Sequence, residues 1–339
     1  MYYDDDTQGA YNDLGSPKFA VAAAHKLAKN GTKFVIGHPL SAYALATSDI
    51  YADNGVLVIH PAATIPELTA RGHQLSFRTV GTNISQASVA CDWIAEQVNP
   101  DPERKIAGLP DDMVSMIAQK LKPGAKIAVL HDNQIYGEGI ASLVKQGLKT
   151  RGIDVHLYEG ITSGARRADH STTIERLAQG EIDFVYFGGY SPDLTRLLPQ
   201  ARAAGIRAKF MSSDAAVCSV YSARDIDTAE GLLLTSPGRF RQPHHKAMTR
   251  EMEDEKPTGL NFTEPTSFLT YAAFEVLAQA IEAAGDCEDT GKIAQAIRSG
   301  TFDTTAGSLS FQPNGDLTSP RFDVEECVVK RKVVRFWAP

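Results

Sequence analysis

Four cysteines in 339 residues, none in a CxxC pair, leave no zinc ribbon or thioredoxin-like motif. Cys91, Cys218, Cys287 and Cys327 stand far apart. Cys91 falls in a helical pattern and reads as a small buried hydrophobe, while a bridge between Cys287 and Cys327 is one pairing that the sequence leaves open. No stretch approaches the ~20 consecutive apolar residues that span a bilayer, so direct membrane insertion is not expected. Basic clusters are missing as well. Lys and Arg total 34 against 41 Asp and Glu, the formal net charge is -7, and without a basic stripe nucleic acid is not an expected partner.

Reactive constellations are equally scarce. The chain has no paired carboxylates, no Ser/His/Asp order, no metal-ligand cluster and no glycine-rich phosphate loop, so neither an enzyme nor a cofactor is expected. Gly137-Glu138-Gly139 matches only the first half of a dinucleotide fingerprint. His244-His245 sits in a proline-containing loop with no further ligand in view, and no metal site is expected.

What the chain does have is 43% hydrophobic and 22% charged residues, with length for two domains that each hold a core. Short β-rich runs alternate with helical patterns: 34–37 then 41–54, 56–60 then a polar loop, 126–132 then 137–152, 154–160 then 173–179, 182–188 then 192–205. Strand followed by helix, repeated, predicts α/β lobes whose parallel sheets are covered on both faces. Ser41 can cap the second of these elements, and Asn54-Gly55 ends it. Between Pro100 and Gly124 a charged, proline-punctuated stretch reads as an inter-lobe connection carrying a short helix over 111–121. Another change of composition comes at 237–243, after an apolar strand at 232–235, and a long helix is predicted over 266–285.

In open α/β sheets, ligands bind beyond the carboxyl ends of the strands, which singles out the residues that follow each one. Ser41 offers a hydroxyl and nearby N–H groups at a helix start. Pro61-Ala62-Ala63-Thr64 offers small residues, through which backbone groups reach a ligand, and a hydroxyl. Tyr136 and Tyr190 are aromatic rings at two further exits, and Asp214 is a carboxylate at another. Each alone has an ordinary reading as a cap, a turn residue or a surface tyrosine. Together they make an inventory for a zwitterionic α-amino acid.

At this point Phe34-Val35-Ile36-Gly37-His38, Thr47-Ser48-Asp49-Ile50-Tyr51, Pro61-Ala62-Ala63-Thr64 and Pro66-Glu67-Leu68-Thr69 resemble the leucine/isoleucine/valine-binding proteins of ABC importers. The similarity continues through His131-Asp132-Asn133, Tyr136-Gly137-Glu138-Gly139, Asp183-Phe184-Val185-Tyr186, Gly188-Gly189-Tyr190 and Thr270-Tyr271-Ala272-Ala273. The resemblance implies a type I periplasmic binding protein: two doubly wound parallel-sheet lobes joined by a three-segment hinge that closes on a ligand. It divides the chain into 1–121 with 237–320 and 122–236 with 321–339. It also implies that Ser41 and Thr64 bind the ligand carboxylate, that Ala62, Thr64 and Asp214 hold the ammonium group with Ala63 in the same loop, and that Tyr136 and Tyr190 line the second lobe. The implied partners are an amino-acid ligand and the permease subunits of an ABC transporter, and the implied location is the periplasm. The runner-up is a sensor of amino acids or amides that regulates a partner protein.

Four departures from the family pattern stand out. Leu40 and Thr7 occupy positions where members often pair cysteines, and Asp214 replaces a glutamate one methylene longer. Thr266 replaces an aromatic pocket residue, and the segment 100–124 is longer. The opening Tyr2-Tyr3-Asp4-Asp5 resembles the end of the second strand of the first lobe, so the first strand and helix, together with an export leader, are expected upstream. On that expectation the 339-residue form folds poorly or binds weakly beside an extended one.

Overall fold

Two compact units divide the chain, residues 1–82 with 237–321 and residues 83–236 with 322–339. The computed structural model describes residues 17–98, 121, 124–162, 169–216, 226–238, 265–330 and 333–337. The expected strand end at 2–5, Thr7, Cys218, His244-His245 and all but the last residue of the expected helix over 111–121 lie outside the described residues.

The chain runs α1 (Lys18–Lys29), β1 (Phe34–Ile36), α2 (Ser41–Asp53), β2 (Leu57–His60), the short α3 (Glu67–Ala70), β3 (Ser76–Arg78) and α4 (Asn83–Val98). Then come β4 (Ile127–His131), α5 (Ile135–Thr150), β5 (Val155–Gly160), α6 (Ser171–Gln179), β6 (Phe184–Gly188), α7 (Ser191–Ala203), β7 (Lys209–Ser213) and β8 (Leu233–Pro237). The described remainder is α8 (Pro265–Ala284), α9 (Thr290–Ser299), β9 (Thr301–Thr304), β10 (Gly307–Ser310), β11 (Phe322–Lys330) and β12 (Val333–Trp337). No helix among the described residues is long and apolar enough to cross a membrane.

In the first unit β1, β2 and β3 pair in parallel in that order, with Val35 opposite Val58 and His60 opposite Arg78. The two-residue period of β2 explains why Leu57, Val58 and Ile59 are all apolar and buried. Leu57 and Ile59 pack with Phe77 against Val276 of α8 and Ile297 of α9, while Val58 packs with Tyr51 of α2 and Ala24 of α1. β9 and β10 form a separate antiparallel hairpin.

The second unit holds a seven-stranded sheet in the order β12-β11-β8-β7-β6-β4-β5. Strands β4 to β8 pair in parallel, and β11 with β12 antiparallel. Every residue of β6 is buried, as befits a strand with neighbours on both sides. Val185, Phe187, Leu130 and Phe210 share a core with Leu194, Leu197 and Leu198 of α7.

The first crossing between the units differs from the expectation at residue 121: it falls between Thr82 and Asn83, so α4 joins the second unit. The reason is packing. Cys91 of α4 is wholly buried, with its Sγ 3.4 Å from the Val144 carbonyl of α5. A Cβ on Gly147 would stand 2.7 Å from that sulfur, so the helices meet closely because residue 147 is glycine. Burial pushes the Cys91 thiol up to about 12, which fits a packing role rather than a reactive one. Cys287 is exposed, Cys327 is buried, and neither is bridged.

Candidate functional site

In the second unit, three strand exits converge. Asp132, just past β4, is completely buried; Oδ1 accepts the Gln134 N–H at 3.0 Å and Oδ2 accepts the Tyr190 N–H at 3.0 Å. One carboxylate thus closes the turn that leads into α5, whose cap position is Gln134, and ties it to the turn between β6 and α7. The approach is close enough that a Cβ on Gly137 would meet Asp132 Oδ1 at 2.1 Å and the Gly188 carbonyl at 2.6 Å. Burial pushes the Asp132 carboxyl up to about 6 against the opposing effect of its two N–H donors.

This frame sets Tyr136 and Tyr190 side by side, both buried, with ring centroids 5.2 Å apart and planes inclined by 33°. The Tyr136 hydroxyl donates to Asp214 Oδ1 at 3.1 Å, and Gln86 Nε2 of α4 donates to the same oxygen at 2.7 Å. Burial, and then the Asp214 charge, holds the Tyr136 phenol well above its ordinary range, so it stays a donor. Burial also raises the Asp214 carboxyl, with Gln86 and Tyr136 as the largest opposing influences. Among the described residues, no cationic side chain stands among these influences. Tyr136, Tyr190 and Asp214, singled out separately as strand-exit residues, are therefore one cluster.

In the first unit, the loop after β2 carries Ala62, half-buried, with Ala63 and Thr64 buried. Thr64 Oγ1 is buried without a hydrogen-bond partner. Arg78 of β3, itself completely buried, fixes this loop: Nη1 donates to the Ala63 carbonyl at 3.0 Å, and both terminal nitrogens donate to the Ile65 carbonyl at 3.1 Å. Burial lowers the ionisation of Arg78, and the Asp316 carboxylate offsets this. Ser41 is buried at the first residue of α2. The sequence suggests it as a cap, but the cap position is Leu40, in extended backbone, and no side chain caps the helix. Ala44, one turn further on, packs with Ala63 and Ile65, so α2 and the loop are held together. His60 beside them is held neutral, its ionisation pushed well down by burial, then by Arg78 and His38.

Sequence reasoning missed Gln86, Arg78 and Asp132. The strand-exit rule that picked Asp214 applies equally to Asp132, whereas nothing local marks a glutamine inside a helix or an arginine inside a strand. Among the described residues, no group of three His, Cys, Asp or Glu is placed to hold a metal ion.

A family model described as periplasmic binding protein matches residues 10–322. The leucine-, isoleucine-, valine-, threonine- and alanine-binding protein of Pseudomonas aeruginosa is 40% identical over 319 residues, covering 93% of this chain and 77% of its own length. The Leu/Ile/Val-binding protein of Escherichia coli is 38% identical over 317 residues, with 93% and 77% covered. Among solved structures, a leucine binding protein from Thermotoga maritima superposes with TM-score 0.77 at 23% identity, over 95% of this chain and 84% of its own. A solute binding protein from R. palustris in complex with benzoate superposes with TM-score 0.75 at 15% identity, over 96% and 82%. The parallel-sheet units are thus those of a type I periplasmic binding protein. With a family model spanning most of its length and relatives near 40% identity, the chain belongs to the periplasmic binding protein family.

Proposed function

We propose that this protein binds a branched-chain or related aliphatic L-amino acid, without catalysing a reaction on it, and delivers it in the periplasm to the permease of an ABC importer. The observation that carries the reading is the Asp214 carboxylate, held by two neutral side-chain donors and given no cation among the described residues. A half-buried carboxylate in that state suits a ligand that brings a positive charge. The Tyr136 and Tyr190 rings beside it offer apolar surface to an aliphatic side chain. In the first unit, the unpartnered Thr64 hydroxyl and the N–H groups at the start of α2 near Ser41 suit a carboxylate group. Ala62 and Ala63 let backbone groups of that loop approach.

The fold by itself does not choose the ligand, since a structural relative holds benzoate, which has no ammonium group. Calorimetric titration with leucine, isoleucine, valine, threonine, alanine and benzoate tests the reading. Heat with aliphatic L-amino acids and none with benzoate is expected. The opposite pattern, or silence with every amino acid, removes it.

A further inference from the structure

We propose that Gln86 is a positioning residue for ligand recognition: its amide holds the Asp214 carboxylate oriented and ionised for the ligand's ammonium group. This rests on the amino-acid reading above. Gln86 is completely buried in α4, and its Nε2 donates both to Asp214 Oδ1 at 2.7 Å and to the Thr235 carbonyl of β8 at 3.0 Å. Two acceptors facing one nitrogen fix the amide's orientation, because a flip would set Oε1 against a carboxylate oxygen and a carbonyl. That orientation leaves Oε1 buried with no hydrogen-bond partner.

A buried acceptor left unpaired is a net loss that packing alone does not explain. A methionine would fill nearly the same volume without it. The amide is retained for what it donates to. A lysine or arginine at this place would hold Asp214 more strongly, but it would also neutralise the charge a ligand ammonium needs. A glutamine fixes the carboxylate and leaves its charge available. The Tyr136 hydroxyl is a second donor to the same oxygen, at 3.1 Å, and Gln86 is the nearer of the two. Burial drives the Asp214 carboxyl towards protonation, and the hydrogen bond from Gln86 is the largest influence opposing it.

The test compares the parent with Gln86→Met, which keeps the volume and loses the donor, and with Gln86→Asn, which keeps an amide one methylene short of its two acceptors. Leucine affinity is measured by calorimetry between pH 4 and 8, and the Asp214 carboxyl is followed by carbon NMR in the ligand-free protein. Circular dichroism checks that each variant is folded, and the asparagine variant decides if the methionine one is not. Expected are about tenfold weaker binding at neutral pH and an acid limb of affinity displaced to higher pH, with the Asp214 titration moving the same way. Parental affinity with an unmoved titration overturns the proposal. So does a uniform loss of affinity at every pH with an unmoved titration, which is what a packing role would give. A parent that gives no heat with any amino acid overturns the ligand reading and the purpose assigned to Gln86, and a titration that still moves would locate that failure in the ligand class rather than in the Gln86–Asp214 contact.

Discussion

Arg78 Nε lies 2.7 Å from Asp316 Oδ1, with the arginine side chain wholly buried and the aspartate largely so. The Thr69 hydroxyl completes the group, 2.7 Å from Arg78 Nη2 and 2.9 Å from Asp316 Oδ1. The guanidinium carries the loop bearing Thr64 on its other nitrogens, so the pair links the candidate carboxylate-binding loop to a distant turn of the same unit.

Removing one member of a buried ion pair strands the other. Asp316→Ala is expected to lower the unfolding free energy by ~3 to 5 kcal/mol, read from urea denaturation. The double variant Arg78→Met/Asp316→Ala should lose less than the two single losses added together. Amino-acid affinity should fall with Asp316→Ala as well, because the loop loses its anchor. A single variant as stable as the parent, with unchanged affinity, would remove Arg78 from any role in holding that loop.

The Asp132 carboxyl gives a pH dependence whose sign can be worked out. Its value of about 6 in the folded protein lies above the ordinary 3.8, so the folded state binds the proton more tightly than the unfolded one. Stability from this group is therefore greatest at low pH and is lost as pH rises from about 4 through 6, by up to about 3 kcal/mol. Asp132→Asn should remove that slope from a plot of Tm against pH. It should also lower Tm at acid pH, since an amide cannot accept from both the Gln134 and Tyr190 N–H groups. A parent-minus-variant difference that stays flat from pH 4 to 7 contradicts the assignment.

Asp214→Ala should weaken amino-acid binding far more than Tyr136→Phe does. The first leaves the ligand's ammonium without its counter-charge, for ~3 to 5 kcal/mol, or roughly a hundredfold or more. The second removes one hydroxyl donor to a carboxylate that still has Gln86, for ~1.5 kcal/mol. Because burial already presses Asp214 towards its neutral form, Asp214→Asn should raise Tm of the ligand-free protein while abolishing the ligand-induced shift. Thermal unfolding of the four proteins with and without leucine checks both statements, and a reversed order of affinities would place the ammonium elsewhere.

The alternation of apolar strand and amphipathic helix is local and periodic, which is why β1, β2, β4, β5, β6 and β8, with α2, α5, α6, α7 and α8, stand in the amino-acid sequence within a few residues of where they fold. Strand exits are local too, so Tyr136, Tyr190 and Asp214 could be named from the chain alone. The hairpin of β9 and β10 and the antiparallel β11 and β12 carry no such alternation, because their strands are stabilised by partners rather than by pattern. Only the tertiary structure decided that α4 packs with the second unit and that Gln86 reaches Asp214 across 128 positions. It also decided that Arg78 spends its donors on the loop of Thr64. A buried polar side chain takes its meaning from the acceptor it meets, and which acceptor that is depends on helix and strand packing that no local pattern encodes.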